Sequence, residues 1–331
     1  MLSESHNTAL NPPLGVYSLQ PAADIDIIVV SGADASRFLQ GQLTCNLDHL
    51  TSERSLRGAL CNLKGRAIAN MRLLASDTEI LMQTPTGMGQ VIIDTLKKYQ
   101  VFFKVDLQLT SDRFVLLQVA LDPSRLPQDA LPLALPGQPD ASNWLEGIHI
   151  TRLPELQTSL DGHDTSGYAR FEVLVDSTLH QPELISAALD AWLLPVDADW
   201  WRLADIASGI AHVHSGQQER FTPQLLNYDI NNTIDFKKGC YTGQEVVARM
   251  YYRAEAKRRL YRGSLAPDQP LAESGINDAD VVAEYQHSDG RRDLLAIANT
   301  DDSKRPTWLV PVSAEATAPP ATDSPTSPPA S

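Results

Sequence analysis

The chain has 331 residues, with 41 acidic against 27 basic side chains and a formal net charge of −14; that balance favours solubility and repels nucleic acid over most of the surface, so any RNA contact has to use a local basic patch. Hydrophobic residues make up 43%, enough for a core, and the length suits two or three packed units. Cys45, Cys61 and Cys240 share no CxxC or similar spacing, which argues against a zinc site and against a cluster held by this chain alone.

The first 20 residues are polar, with Pro12 and Pro13, and are expected as a flexible, extended N-terminus. Residues 25–30 are an apolar, β-branched strand run. Ser31-Gly32-Ala33-Asp34 reads as a capping box built on aspartate, opening a helix from Asp34 to Gln40 that stops at a C′ glycine, Gly41. Residues 67–74 and 79–83 read as paired strands. Residues 91–99 read as a helix with Val91, Leu96 and Tyr99 on one face, and 114–120 as another strand. Residues 121–139, rich in Pro, Leu and Asp, form a loop-heavy connection, and Asp161-Gly162-His163-Asp164 a turn. A strand at 171–175 and a helix at 182–192 follow, then a helix at 199–208 stopped by Gly209. From 260 the pattern changes to short strands, at 260–265, 281–285, 294–299 and 308–312. The last is an edge strand because it contains Pro311. Together they read as a small terminal barrel. Residues 314–331 are mostly Ala, Pro, Ser and Thr and are expected to be disordered.

No run approaches the ~20 apolar residues of a membrane span. The N-terminus carries neither a basic start with an apolar core nor an arginine-rich transit pattern. A few unpaired cysteines suit a reducing compartment. The expected location is therefore the cytoplasm, without membrane attachment.

The segment richest in chemistry is Phe236-Lys237-Lys238-Gly239-Cys240-Tyr241-Thr242-Gly243-Gln244-Glu245. Thr242 and Glu245 form a T-x-x-E capping box for a helix from Gln244 to about Tyr252, with Val246, Val247 and Met250 inward. Cys240 stands just ahead of that cap, where free N–H groups, the helix dipole, Lys237 and Lys238 favour a thiolate. Gly239 and Gly243 allow close backbone approach. On spacing alone two readings stand level: a reactive thiol, or a tight helix entry with Cys240 packed as a small hydrophobe.

Lys238 to Glu245 resembles the K-G-C-Y-x-G-Q-E signature of YgfZ-type folate-binding proteins, accessory factors for iron–sulfur enzymes that are related to the glycine-cleavage aminomethyltransferase (T-protein). Phe38-Leu39-Gln40-Gly41-Gln42-Leu43-Thr44, Lys64-Gly65-Arg66 with Asn70-Met71-Arg72, and Phe221-Thr222-Pro223-Gln224 with Asn227-Tyr228 extend the resemblance over roughly residues 24–312. It implies an α+β fold, a T-protein-like ring of α/β lobes with a small C-terminal β-barrel and folate in the central hollow. The implied layout is a flexible 1–20, folate-binding lobes over 21–258, the barrel at 259–313 and a disordered tail. It further implies tetrahydrofolate or a derivative as cofactor, iron–sulfur enzymes such as tRNA-thiolating enzymes as partners, Cys240 as the functional thiol and Lys238 as its charge partner. Trp201, Asn70, Arg72, Tyr241, Gln244 and Glu245 are the implied folate-site residues.

Two positions depart from the family. Cys45-Asn46 follows Thr44 where many relatives have an aspartate at the second position. Ala69-Asn70 aligns with the acid pair of true aminomethyltransferases, and an amide cannot relay a proton as a carboxylate does. A conventional transferase is therefore not expected. A one-carbon transferase using another acid and a non-catalytic scaffold with a structural Cys240 stand as the alternatives.

Three weaker signals remain. In Trp200-Trp201-Arg202, Trp201 is either a core anchor or the aromatic wall of the pterin pocket, and Ile25 stands where relatives supply a second tryptophan. Residues 237–262 hold eight basic side chains, a solvated face or a site for the glutamyl tail of folate or for tRNA. His212-Val213-His214, read as a strand, places two imidazoles on one side of it without a third metal ligand.

Overall fold

The computed structural model describes residues 14–20, 25–76, 78–125, 135–156, 160, 165, 167–190, 192–253 and 256–312. The N-terminal stretch before residue 14, the 161–164 turn and the 314–331 tail lie outside the described residues. Part of the expected loose N-terminus is ordered: β1 (Gly15–Gln20) pairs antiparallel along its whole length in a sheet.

The apolar run after it is β2 (Ile25–Ser31), in which Ile25, Ile27 and Val29 face one core while Ile28 and Val30 face another. Burial on both faces explains the near-continuous hydrophobic run. The Asp26 carboxylate in its middle accepts the Gly89 N–H at 2.7 Å, at the start of a helix, where a negative charge is favoured. α1 (Ala35–Gln40) is where the sequence puts it, but its ends differ. Ser31 closes β2, Asp34 accepts from Lys104 N at 2.8 Å instead of capping the helix, and Gly41 has φ −80°, right-handed rather than αL.

A five-stranded sheet follows, in the order β3-β4-β5-β2-β6, with β3 (Leu56–Cys61), β4 (Ala67–Ala75), β5 (Ile80–Pro85) and, after helix α2 (Gly89–Lys97), β6 (Asp106–Leu109). α2 buries Ile92, Ile93 and Leu96, whereas Tyr99 lies past its end and is exposed. The second sheet runs β11-β1-β7-β10-β9-β8. It adds β7 (Phe114–Leu121), β8 (Ser142–Leu145), β9 (Ile148–Leu153), β10 (Ala169–Asp176) and, after α3 (Pro182–Leu189), β11 (Leu193–Pro195). The two sheets share a core: Ile25, Ile27, Val29, Leu74 and Leu81 of the first pack against Phe114, Leu116 and Leu174 of the second.

α4 (Ala198–Ser208) packs Trp200, Trp201, Leu203 and Ala204 onto the second sheet and ends at Gly209, whose φ of 71° is the left-handed cap expected of it. α5 (Gln244–Arg253) leads into the C-terminal unit. This is an antiparallel sheet in the order β13-β14-β12-β15, from β12 (Arg258–Leu265), β13 (Val281–Gln286), β14 (Arg292–Asn299) and β15 (Leu309–Pro311). β15 is an edge strand, as Pro311 requires. Leu260, Val282, Leu295 and Ile297 of this sheet join Ala59 and Cys61 of β3, Ile206 of α4 and Val247 of α5 in one core, and Tyr285 of β13 packs against the core that α4 shares with the second sheet, so the third sheet meets the first directly and the second alongside α4.

Candidate functional site

Where the three sheets converge they leave a cavity of about 220 Å³, on the order of 15 times what one water needs. β4 contributes Asn70 and Arg72, β7 Gln118, β10 Glu172 and α4 Trp201 and Asp205, and His212 follows from the segment after α4. Trp201 is 1% exposed, and the Arg170 guanidinium covers one face of its ring at 4.7 Å. Trp200 packs beside it with ring centroids 5.4 Å apart, so only a small part of the indole reaches the cavity.

Ion pairs hold the polar wall in place. Arg72 binds Asp140 at 2.9 Å and Glu172 at 3.3 Å, tying β4 to β10, while Arg57 holds the other Asp140 oxygen at 2.6 Å. Burial opposes charge on Asp140, but the two guanidinium groups outweigh it and hold the carboxyl below its ordinary range. On α4, Asp205 pairs with the fully buried Arg170 and, at 3.2 Å, with His212 Nε2. Burial again works against this carboxylate, and Arg170 and His212 hold it low.

Asn70 fixes the state of that histidine. Its Oδ1 accepts the Val213 N–H at 2.7 Å, so its Nδ2 is the atom 3.3 Å from His212 Nδ1. An amide N–H there needs a lone pair opposite, which assigns the neutral imidazole with its proton on Nε2, donating to Asp205. Asn70 therefore orients a histidine and does not act as an acid.

The signature segment forms a second place. Lys238 is buried, and its Nζ donates to the carbonyls of Gln40 at 2.8 Å, Leu43 at 2.6 Å and Cys45 at 2.6 Å, with the Tyr241 ring 5.3 Å away. Expected as the charge partner of Cys240, it instead gives all three protons to the backbone of the Phe38–Thr44 block and the residue after it. Thr44 Oγ1 donates to Thr233 O at 2.7 Å and Thr242 N donates to Gly41 O at 3.2 Å. The Thr242 hydroxyl, expected to cap α5, is bound to Gln42 Oε1 at 3.0 Å. Asn46, at the position that is aspartate in relatives, accepts from Gln40 Nε2 at 2.7 Å and Asp48 N at 3.2 Å, bonds that need only an acceptor oxygen.

The structure thus brings Trp201, Asn70 and Arg72 together around the cavity, with Ile25 also on its wall. Tyr241, Gln244 and Glu245, grouped with them from the sequence, are not among the lining residues: Tyr241 is buried beside Lys238, Gln244 half-buried and Glu245 exposed. Cys240 is exposed, four residues ahead of α5, whereas burial pushes the Cys45 and Cys61 thiols up to about 12. His212 and His214 have ring centroids 6.1 Å apart on a segment that is not a strand. Among the described residues no group of three or more His, Cys, Asp or Glu side chains is placed to hold a metal ion. Sequence reasoning missed Gln118, Glu172, Asp205 and Arg170. Each sits in an otherwise apolar strand or helix stripe, and a polar residue on a buried face was the one signal that marked them.

Three sheets around a central hollow with ion-paired side chains on its wall place the chain in the aminomethyltransferase fold class. The glycine cleavage system aminomethyltransferase T from Bartonella henselae superposes with a TM-score of 0.58 over 86% of this chain and 78% of that one, at 15% identity. Within the class, the chain is a homologue of proteins called tRNA-modifying protein YgfZ. It is 29% identical to the one from Colwellia psychrerythraea over 290 residues, 84% of each chain, and 29% identical to those from Klebsiella pneumoniae and Yersinia pestis over 299 residues, 87% of this chain and 86% of theirs. The resemblance carried by the signature octapeptide is thereby borne out. No family model matches the chain.

Proposed function

We propose that this chain binds reduced folate in the central cavity and uses Cys240 to support iron–sulfur cluster assembly or repair, with tRNA modification, thiolation included, downstream. The observation that carries the folate reading is that three residues lining the cavity, Gln83, Gln118 and Trp201, each carry a buried polar atom (Oε1, Oε1 and Nε1) with no hydrogen-bond partner among the described residues. Such atoms are costly to bury unpaired. Two acceptors and one donor around a hollow with an aromatic wall suit a flat heterocycle that bears both N–H and carbonyl groups, as a pterin does. Gln83 and Gln118 would accept from its ring nitrogens, Trp201 would donate to it and flank it, and Arg72 and Glu172 would hold the walls through their ion pair. A bound tetrahydrofolate would supply a carrier for one-carbon units.

The exposure of Cys240 supports the accessory role, since a partner protein can reach the thiol while the cavity is filled. The names of the homologues support the tRNA connection. Asp205, a carboxylate on the cavity wall, favours one alternative, one-carbon transfer that uses an acid other than the one replaced by Asn70. Release of product from a one-carbon donor and tetrahydrofolate would establish it in place of the accessory role.

The test is titration of tetrahydrofolate against tryptophan emission. Quenching is expected, and Gln118→Leu, close in size, should weaken binding about 5- to 150-fold, the effect of 1–3 kcal/mol for one unpaired buried group. Trp201→Phe should abolish most of the quench. Unchanged affinity in Gln118→Leu would move the ligand elsewhere. Cys240→Ser in a null strain should lose cluster-enzyme activity and tRNA thiolation together while tetrahydrofolate affinity stays as in the native protein.

A further inference from the structure

Of the eight basic residues between 237 and 262, the structure engages four. Lys238 is buried among carbonyls, Arg259 is bidentate on Asp229 at 2.9 Å, Arg258 pairs with Asp280 at 2.6 Å and Arg262 donates to Ala207 O at 2.9 Å. Lys237, Arg249 and Lys257 are exposed, and among the described residues no ion pair holds them.

Beside them stands an aromatic cluster on the surface. Phe236 stacks on Tyr251 with centroids 3.8 Å apart and planes at 17°. Tyr252 meets both edge-on, 5.0 Å from Tyr251 and 6.1 Å from Phe236. Tyr251 is 46% and Tyr252 68% exposed, so the cluster is organised without being buried. Arg249 lies one turn before Tyr252 on the exposed face of α5, and Lys237 follows Phe236 in the chain. The loop that carries Phe236 and Lys237 also carries Cys240.

We propose that the face formed by Phe236, Lys237, Arg249, Tyr251 and Tyr252 docks single-stranded RNA, a looped-out segment of a tRNA, beside the Cys240 thiol. Ordered rings with open faces between cations are the arrangement on which unpaired bases stack while their phosphates are neutralised. In a chain of net −14, a local cluster of cations free of ion pairs is the place where an anionic polymer finds complementary charge. Tyr and Arg also serve protein interfaces, but those bury an apolar centre within a polar rim, whereas here hydroxylated rings alternate with cations. The proposal rests on the tRNA part of the proposed function and not on the folate part.

The experiment is fluorescence anisotropy of the full-length protein with an unmodified tRNA transcript, at several salt concentrations, against a fully paired RNA duplex. Tyr251→Ala and Tyr252→Ala are each expected to lose about 5- to 150-fold in affinity, the loss of one stacked base. Lys237→Gln and Arg249→Gln should each reduce the slope of log affinity on log salt by about 0.7. The duplex should bind more weakly than the tRNA and be indifferent to the tyrosines. Absence of tRNA binding at low salt, or equal affinity in Tyr252→Ala, overturns the proposal. So does loss of cluster-enzyme activity in Tyr252→Ala with tRNA affinity intact, which assigns the face to a protein partner. Tetrahydrofolate quenching in the same preparations separates the two readings: lost quenching with intact tRNA binding defeats folate alone, and the reverse defeats the RNA face alone.

Discussion

Burial pushes the Lys238 ammonium down to about 8, yet at neutral pH it keeps the three protons that the Gln40, Leu43 and Cys45 carbonyls require. The side chain therefore acts as a clamp between two blocks of chain that the sequence shows only as separate motifs. Lys238→Met should leave three carbonyls without donors and cost roughly 2–4 kcal/mol, hydrogen bonds to a charged group being the strong ones. Lys238→Arg should not restore this, because a planar fork does not converge on one point as an ammonium does. Urea denaturation measures the loss. Iodoacetamide labelling gives the local readout: the native protein should be modified at the exposed Cys240, and Lys238→Met at the now loosened Cys45 as well. The sequence identified the lysine but not its task. Four methylenes carry its charge away from Cys240, and no neighbour in sequence says in which direction.

The turn between β3 and β4 and the start of α5 form one joint. Gly243 has φ 83°, and a Cβ there would lie 2.4 Å from Asn62 O; Gly65 has φ 68°, and its Cβ would meet Val246 at 2.9 Å. Gly243→Ala is expected to cost at least about 1–2 kcal/mol from the left-handed backbone alone, and the contact with Asn62 must shift α5 besides. Thermal melting should report the loss. Tetrahydrofolate affinity should change little, because α5, the element that shifts, contributes no residue to the cavity wall, whereas tRNA affinity should fall with displacement of Tyr251 and Tyr252. At this scale the sequence is a good guide to existence and a poor one to ends. The start of α5 at Gln244 follows from the T-x-x-E pattern. The pattern's own hydrogen bond is absent, because the Thr242 hydroxyl finds Gln42, a partner 200 residues away in sequence. Ser31 goes to β2 for a similar reason: pairing with Asp106 of β6 extends the strand past the point where helix propensity alone would begin a cap.

Across the whole molecule, two charged assemblies tie the sheets together: Arg57 and Arg72 with Asp140 and Glu172, and Arg170 with Asp205 and His212. Asp140 and Asp205 are held below the ordinary 3.8 in the folded protein. A carboxyl lowered on folding contributes stability that is complete above its unfolded value and lost as pH falls through its folded value. Melting temperature should therefore vary little on account of these groups between about pH 5 and 8 and drop below about pH 4. Asp205→Asn should lower stability at neutral pH, because it leaves Arg170 buried and uncompensated, and should shallow the acid limb. A melting series in pH with and without the substitution decides it, and an acid limb as steep in the variant as in the native protein would remove Asp205 from the account.

Most strands and helices are legible in the chain, because alternation and helical spacing of apolar residues act over a few residues. The signature octapeptide and its companion blocks also show which proteins the chain is kin to. It took the closed fold to show that Trp201, Asn70 and Arg72 share a wall with Gln118, Glu172 and Asp205, while Tyr241, Gln244 and Glu245 do not. That fold alone turned Lys238 onto carbonyls up to 198 residues away in sequence, and it alone left Tyr251 and Tyr252 uncovered. The reason is range: backbone preference is local, whereas the direction of a long side chain and the pairing of a buried charge depend on surfaces that meet only when the three sheets close.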